Sequence, residues 1–238
     1  MNKVTFEKVE DLSFQANEAY KSLRTNIQFC GEDVKAIVFT SCIPNEGKSI
    51  LVFRLACAMA ESGKKVLLMD TDIRKSVLVT RFQVDKVVKG LSEYLTGQCR
   101  LEDCLCTTNM EDMDVIFTGP VAPNPSELLG SSKFKELVQK VREEYDYVLI
   151  DCPPLGSVID AAVVASVADG AILVIESDVI SRRFALNVKQ QLEKSGCRII
   201  GGVLNKVDME GKGYYGHYGH YYGKYYGNYY GKEEEKEE

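Results

Sequence analysis

Histidine is almost missing from this 238-residue chain: there are two, His217 and His220, and both lie in the last thirty positions. General-base chemistry anywhere before them therefore falls to carboxylates. The eight cysteines (Cys30, Cys42, Cys57, Cys99, Cys104, Cys106, Cys152 and Cys197) include no Cys-x-x-Cys pair, which argues against a zinc site. Several sit in apolar runs, as Cys57 does in LACAMA, so a reduced, cytoplasmic protein is expected. No apolar run approaches the roughly 20 residues that cross a bilayer. The opening MNKVTFEKVEDLSF lacks a signal peptide's hydrophobic centre. Any membrane link is expected to come through a partner. Bulk positive charge is missing too: the formal net charge is −6, which speaks against nucleic acid as a ligand.

What is present is enough apolar sequence, 45% of residues, to bury a sizeable core. Residues 1–17 read as a loose arm, and EAYKSLRTNIQF (18–29) as an amphipathic helix with Ala19, Leu23 and Ile27 on one face. Short apolar runs then alternate with helical patterns. Strands are predicted over 35–41, 64–70, 113–119, 145–151, 170–177 and 198–205. Helices are predicted over 47–63, 125–145 with at most one break, 158–167 and 183–195. Continuous apolar strands between helices predict an α/β fold with a parallel central sheet flanked by helices. The boundaries are an arm and helix (1–34), a nucleotide-binding domain (35–208) and a flexible tail (209–238).

Ligands of such sheets sit at the carboxyl ends of the strands, and three strand ends here carry candidate chemistry. SCIPNEGKSI (41–50) follows a strand and opens a helix, the setting in which a Gly-Lys-Ser match signifies a phosphate-binding loop. The loop Pro44–Ile50 would wrap the phosphates, with backbone N–H groups from Asn45, Glu46, Gly47 and the residues that follow. Lys48 would bridge the β and γ oxygens, and the Ser49 hydroxyl would bind magnesium. Cys42 stands where the first glycine of the motif is expected. VLIDCPP ends a second strand on Asp151, which suits a magnesium shell. VLLMDTDIR ends a third with Asp70 and Asp72 two residues apart. Two carboxylates beside a metal and phosphates repel each other, so the useful division is one metal ligand and one base for a hydroxyl nucleophile.

The tail supplies hydroxyls in quantity. Nine of thirteen tyrosines (Tyr214, Tyr215, Tyr218, Tyr221, Tyr222, Tyr225, Tyr226, Tyr229 and Tyr230) fall in GYYGHYGHYYGKYYGNYYG, spaced by glycine and followed by KEEEKEE. Such a segment has no apolar face to bury. Roughly 20 flexible residues span about 25 Å, so the tail is long enough to visit a neighbouring subunit. Each phosphate would add about −1.5 to −2 charges.

Together, GKS, DTDIR, IDCPP and the tyrosine tail resemble the bacterial tyrosine kinases of capsule and exopolysaccharide synthesis, P-loop proteins of the deviant Walker type. The similarity runs over about 18–206, with the tail as a further match. It implies ATP and Mg2+ as cofactors, with Lys48 and Ser49 holding phosphates and metal. Asp70 would be the base or orienter for the tyrosine hydroxyl, and Asp72 and Asp151 would organise the metal. EAYKSLR is similar to the family's Glu-x-x-Arg-x-x-Arg oligomerisation helix and reads Glu18, Lys21, Arg24 here. The motif after Arg74 continues Lys75-Ser76 where the family has proline, and GKSI stands for GKST. The resemblance further implies in-trans autophosphorylation of the tail, a homo-oligomeric ring of up to octamer size and a cognate tyrosine phosphatase. It also implies a separate membrane adaptor of the polysaccharide chain-length type that recruits the protein to the inner face of the plasma membrane. LNKVD (204–208) spells the Asn-Lys-x-Asp of GTPases, but nothing matches their switch regions, and Asn205 is expected to contact adenine.

Two other functions compete. A partitioning-type P-loop ATPase would share the fold, but it needs an additional lysine early in the loop, and Cys42–Asn45 has none. The alternative is an ATP-binding scaffold whose tail another kinase modifies.

Overall fold

The computed structural model describes residues 2–86 and 88–208. Within them the strands are β1 (Asn2–Lys3), β2 (Ala36–Ser41), β3 (Val66–Asp70), β4 (Leu105–Thr107), β5 (Met113–Ile116), β6 (Tyr147–Asp151), β7 (Gly170–Glu176) and β8 (Ile199–Asn205). The helices are α1 (Phe14–Gln28), α2 (Lys48–Ala60), α3 (Leu78–Arg81), α4 (Leu91–Leu95), α5 (Leu101–Cys104), α6 (Pro125–Leu129), α7 (Ser132–Glu144), α8 (Asp160–Ala165) and α9 (Arg182–Glu193).

All eight strands join one sheet in the order β1-β4-β5-β3-β6-β2-β7-β8. The six from β5 to β8 in that order run parallel. Each inner strand is apolar on both faces because both faces are covered. Ala36 and Val38 of β2 pack with α6–α9, whereas Ile37 and Phe39 pack with α1 and α2. The same alternation places Leu67 and Met69 of β3 on one side and Val66 and Leu68 on the other. Ten of the thirteen residues of α2 are buried, so this helix lies inside the molecule and its first turn stays fixed against the sheet. The parallel strands β2, β3, β6, β7 and β8 deliver their carboxyl ends to one edge, and the candidate site lies there.

The sheet differs from the prediction at its β1 edge. β4 pairs antiparallel with β5, and β1 pairs parallel with β4, so both outermost strands run against the rest. The segment before α1 is not a loose arm. Val4 N–H donates to the Thr107 carbonyl at 2.9 Å, and Phe6 N–H donates to Asn109 Oδ1 at 2.9 Å. Val4 and Phe6 are buried, and Phe6 packs edge-on against Phe53 (4.8 Å), Phe82 (5.9 Å) and Phe117 (6.2 Å). A strand of two residues carries too little periodicity to be read in sequence. The predicted 125–145 helix breaks at Gly130 and Ser131, where Ser131 caps α7 by accepting from Phe134 N–H. The predicted 113–119 strand stops at Ile116.

Phe6→Ala should cost about 3–5 kcal/mol, as loss of a buried aromatic does. Urea denaturation of the two proteins measures it, and a cost below about 1 kcal/mol would return these residues to a loosely held arm.

Candidate active site

The loop between β2 and α2 is shaped by two residues in left-handed backbone, Asn45 (φ 70°) and Gly47 (φ 80°). A side chain at Gly47 would place its Cβ 2.4 Å from Asn205 Nδ2, so the position needs glycine for space as well as for φ. Glu46, 1% exposed, braces the loop from within: its Oε2 accepts from Ile43 N–H (2.8 Å) and its Oε1 from Glu176 N–H (3.0 Å). From outside, Asn205 Nδ2 donates to the Glu46 carbonyl (2.8 Å) and Lys206 Nζ to the Asn45 carbonyl (2.7 Å). Lys206 also pairs with Glu176 at 2.9 Å. The loop thus hangs on the ends of β7 and β8. Its opposite side meets the turn after β6, where a Cβ on Gly156 would stand 2.1 Å from the Cys42 carbonyl.

Lys48 opens α2 and is itself buried. Its ammonium donates to Asp151 Oδ1 and lies 3.3 Å from Ser49 Oγ. Burial disfavours the charged lysine, but the charge and hydrogen bond of Asp151, with the charges of Asp70 and Asp72, hold its pKa above the ordinary value. Asp70 and Asp151 are register partners on adjacent strands, each 1% exposed. Asp70 receives Ser76 Oγ–H at 2.5 Å and Asp72 N–H at 3.0 Å. Burial and the Asp151 charge nevertheless raise its pKa to about 7, against the pull of those bonds and of Lys48. Asp72, half-buried, takes Lys75 N–H at 3.0 Å, and burial raises its pKa too.

The DTDIR loop is anchored by a pair that the sequence did not signal. Arg74 donates Nε to Asp160 Oδ2 (2.6 Å) and Nη2 to Asp160 Oδ1 (3.0 Å), and Ser126 Oγ donates to the same Oδ1 at 2.6 Å. Burial works against the Asp160 anion, but the hydrogen bonds of Arg74 and Ser126 and the Arg74 charge outweigh it and lower its pKa. An aspartate at a helix start ordinarily reads as a dipole contact, and nothing in DAAVVA distinguishes this one.

The structure therefore brings Lys48, Ser49, Asp70, Asp72, Asp151 and Asn205 to one edge with the loop 44–50. Asn205, expected at the base, has its amide on the loop itself. Glu18, Lys21 and Arg24 lie elsewhere, on α1. Glu18 and Lys21 pair at 2.7 Å, while Arg24 Nη1 donates to the Ala58 carbonyl of α2 at 2.7 Å. The nine tail tyrosines lie outside the described residues.

Hard oxygen donors, a lysine and a loop of open amides fit a magnesium-bound nucleotide. No group of three or more His, Cys, Asp or Glu among the described residues is arranged to hold a metal alone. Ser49 and phosphate or water oxygens must then complete any shell, as is usual for magnesium.

A raised Asp70 pKa means that the native state keeps a proton which the unfolded chain, near 3.9, has released. Without nucleotide and metal, stability should fall as pH rises from about 4 towards 7 and then level off. Asp70→Asn should remove that slope and gain on the order of 2 kcal/mol at pH 8. Urea melts at pH 5 and pH 8 decide it; a variant no more stable than wild type at pH 8 contradicts the assignment.

Residues 35–195 match the family model described as an AAA domain. The tyrosine-protein kinase CpsD of Streptococcus agalactiae is 40% identical over 207 residues, covering 87% of this chain and 90% of that protein. Tyrosine-protein kinase YwqD of Bacillus subtilis is 38% identical over 205 residues, covering 85% and 86%. Among solved structures, the kinase domain of the Escherichia coli tyrosine kinase ETK superposes with a TM-score of 0.79 at 32% identity, covering 87% and 85%. The septum site-determining protein MinD of Pyrococcus horikoshii, complexed with Mg-ADP, shares the fold at a TM-score of 0.62 and 29% identity, covering 72% and 70%. With the phosphate loop, the paired aspartates and this likeness over most of its length, the chain belongs to the bacterial tyrosine-protein kinases built on the P-loop AAA domain.

Proposed function

We propose that this kinase uses ATP and Mg2+ to phosphorylate the tyrosines of its own tail, one copy acting on another. The observation that carries the proposal is the buried Asp70 carboxylate, with its raised proton affinity, abreast of the Lys48–Asp151 pair. A magnesium nucleotide bound here would supply the phosphoryl group that is transferred, and its metal would neutralise the charge that develops. The chain's residues do the remainder. Lys48 exchanges its contact with Asp151 for phosphate oxygens and holds them in line. Asp151, Asp72 and Ser49 would hold the cation. Asp70 would accept the phenol proton as the tyrosine oxygen takes the γ-phosphoryl group and its bond to the β-phosphate oxygen breaks, releasing ADP; because a phenol has a pKa near 10, that proton transfer comes late. Positioning and charge neutralisation then account for most of the rate.

The likeness to MinD, solved with Mg-ADP, supports magnesium and an adenine nucleotide. No helix among the described residues is long and apolar enough to cross a membrane. A separate membrane adaptor of the polysaccharide chain-length type, recruitment to the inner face of the plasma membrane, a ring of subunits built with α1 and a resetting phosphatase belong to the same reading. Control of capsular or exopolysaccharide synthesis is its output. Lys21 weakens the ring motif, because an ammonium lacks arginine's fork, and Arg24 is already engaged with Ala58.

Purified protein given Mg·ATP, alone and with an adaptor's cytoplasmic segment, should gain successive phosphates that map to Tyr214–Tyr230. Lys48→Met should gain none, and a deletion from Met209 should remove the phosphotyrosine. ATP hydrolysis with no tail phosphate under either condition would establish the partitioning-type ATPase or the scaffold instead.

A further inference from the structure

A second cavity, of about 300 Å3, opens beside α2 and is lined by Lys8, Glu10, Ile50, Arg54, Thr80, Arg81, Phe82 and Gln83. Ile50 and Arg54 are the third and seventh residues of the helix that starts at Lys48, so the cavity flanks the catalytic loop without sharing its lysine or carboxylates. Three cations meet one carboxylate on its wall, in a chain whose net charge is −6. That carboxylate, Glu10, engages Lys8 only at 4.0 Å, with both side chains exposed, a contact of little strength. Arg54 spends Nη2 on the Glu10 carbonyl, but its Nε is buried with no hydrogen-bond acceptor among the described residues. A buried guanidinium donor without an acceptor is costly, which gives the Arg54 side chain reason to turn towards an anion that enters the cavity.

The space exceeds what a bare phosphate ion fills, and Ile50 and Phe82 give it apolar wall against which a ring can lie. Arginine and lysine clusters read phosphorylated side chains through charge-assisted, forked hydrogen bonds. The chain itself carries nine tyrosines in its tail. We propose that the cavity walled by Lys8, Arg54 and Arg81 is a phosphotyrosine-binding site that takes a phosphorylated tyrosine of this tail sequence. The inference rests on tail phosphorylation as read above and adds a receptor for its product.

The test uses full-length Lys48→Met protein, whose own tail stays unmodified, and a labelled peptide HYYGKYYGNYYG (220–231) with one phosphate at Tyr226. Fluorescence anisotropy at physiological salt should show the phosphopeptide binding at least tenfold more tightly than its unmodified form. Lys8→Glu with Arg81→Glu, both at exposed positions, should cut that affinity at least tenfold without lowering the melting temperature. Lys140→Glu, an exposed residue of α7, should leave it unchanged. Free phosphotyrosine should displace the peptide at far lower concentration than inorganic phosphate. Equal binding of the two peptides, equal losses in the Lys8/Arg81 and Lys140 variants, or competition by phosphate alone would overturn the proposal. So would equal binding of GKEEEKEE (231–238), which would make the cavity a reader of acidic chain. Because the phosphate is synthetic, the result stands apart from whether the wild type phosphorylates itself, which phosphotyrosine mapping measures.

Discussion

The pairing of Lys48 with Asp151 is the constraint around which this molecule is arranged. Two carboxylates, Asp70 and Asp151, end neighbouring strands with almost no exposure to water. Left without a cation, they would carry a desolvation cost of several kcal/mol per ion. Lys48 meets that demand, and its position is set by α2, a helix buried on nearly all sides. The residual mismatch appears at Asp70, which burial and its neighbour's charge drive towards the protonated form. A site that holds one carboxyl towards its protonated form and its lysine on a second carboxylate is arranged for an incoming anion to redistribute those charges. Part of the fold's stability is given up to keep it so.

The inner sheet and the meeting of Lys48, Asp70 and Asp151 at one edge were legible in the sequence for a physical reason. Strands covered on both faces are written as unbroken apolar runs, and each ends where the first charged residue appears: Asp70, Asp151 and the Gly-Lys-Ser loop. What could not be read is what supports those residues. Glu46 looked like a loop residue near phosphate, yet its carboxylate serves the backbone of Ile43 and Glu176. Asn205 looked like a base contact, yet its amide holds the Glu46 carbonyl. Asp160 gave no sign that it locks Arg74 and thereby the DTDIR loop. Apart from the Ile43–Glu46 bond inside the loop, these contacts join residues 86 to 159 positions apart, and no local pattern encodes them.

The edge of the sheet shows the same limit in apolar form. Val4 and Phe6 are too few to announce a strand, yet Phe6 completes a cluster with Phe53, Phe82 and Phe117 that spans α2, the turn after α3 and the end of β5. The arm then continues over Phe82 and Gln83, where Lys8 N–H donates to the Phe82 carbonyl. Packing of residues 2–8 thus sets the wall of the cationic cavity as well as the edge of the core.

Lys206 has a consequence of another kind. It lies in left-handed backbone three residues before Met209 and clips the end of β8 to the Asn45 carbonyl of the phosphate loop. Whatever follows in the chain departs from the rim of the nucleotide site, from a root that the fold already holds. On the proposed function, substrate and enzyme share that one fixed root, and the reach of each tyrosine is set by its distance along the chain from Lys206.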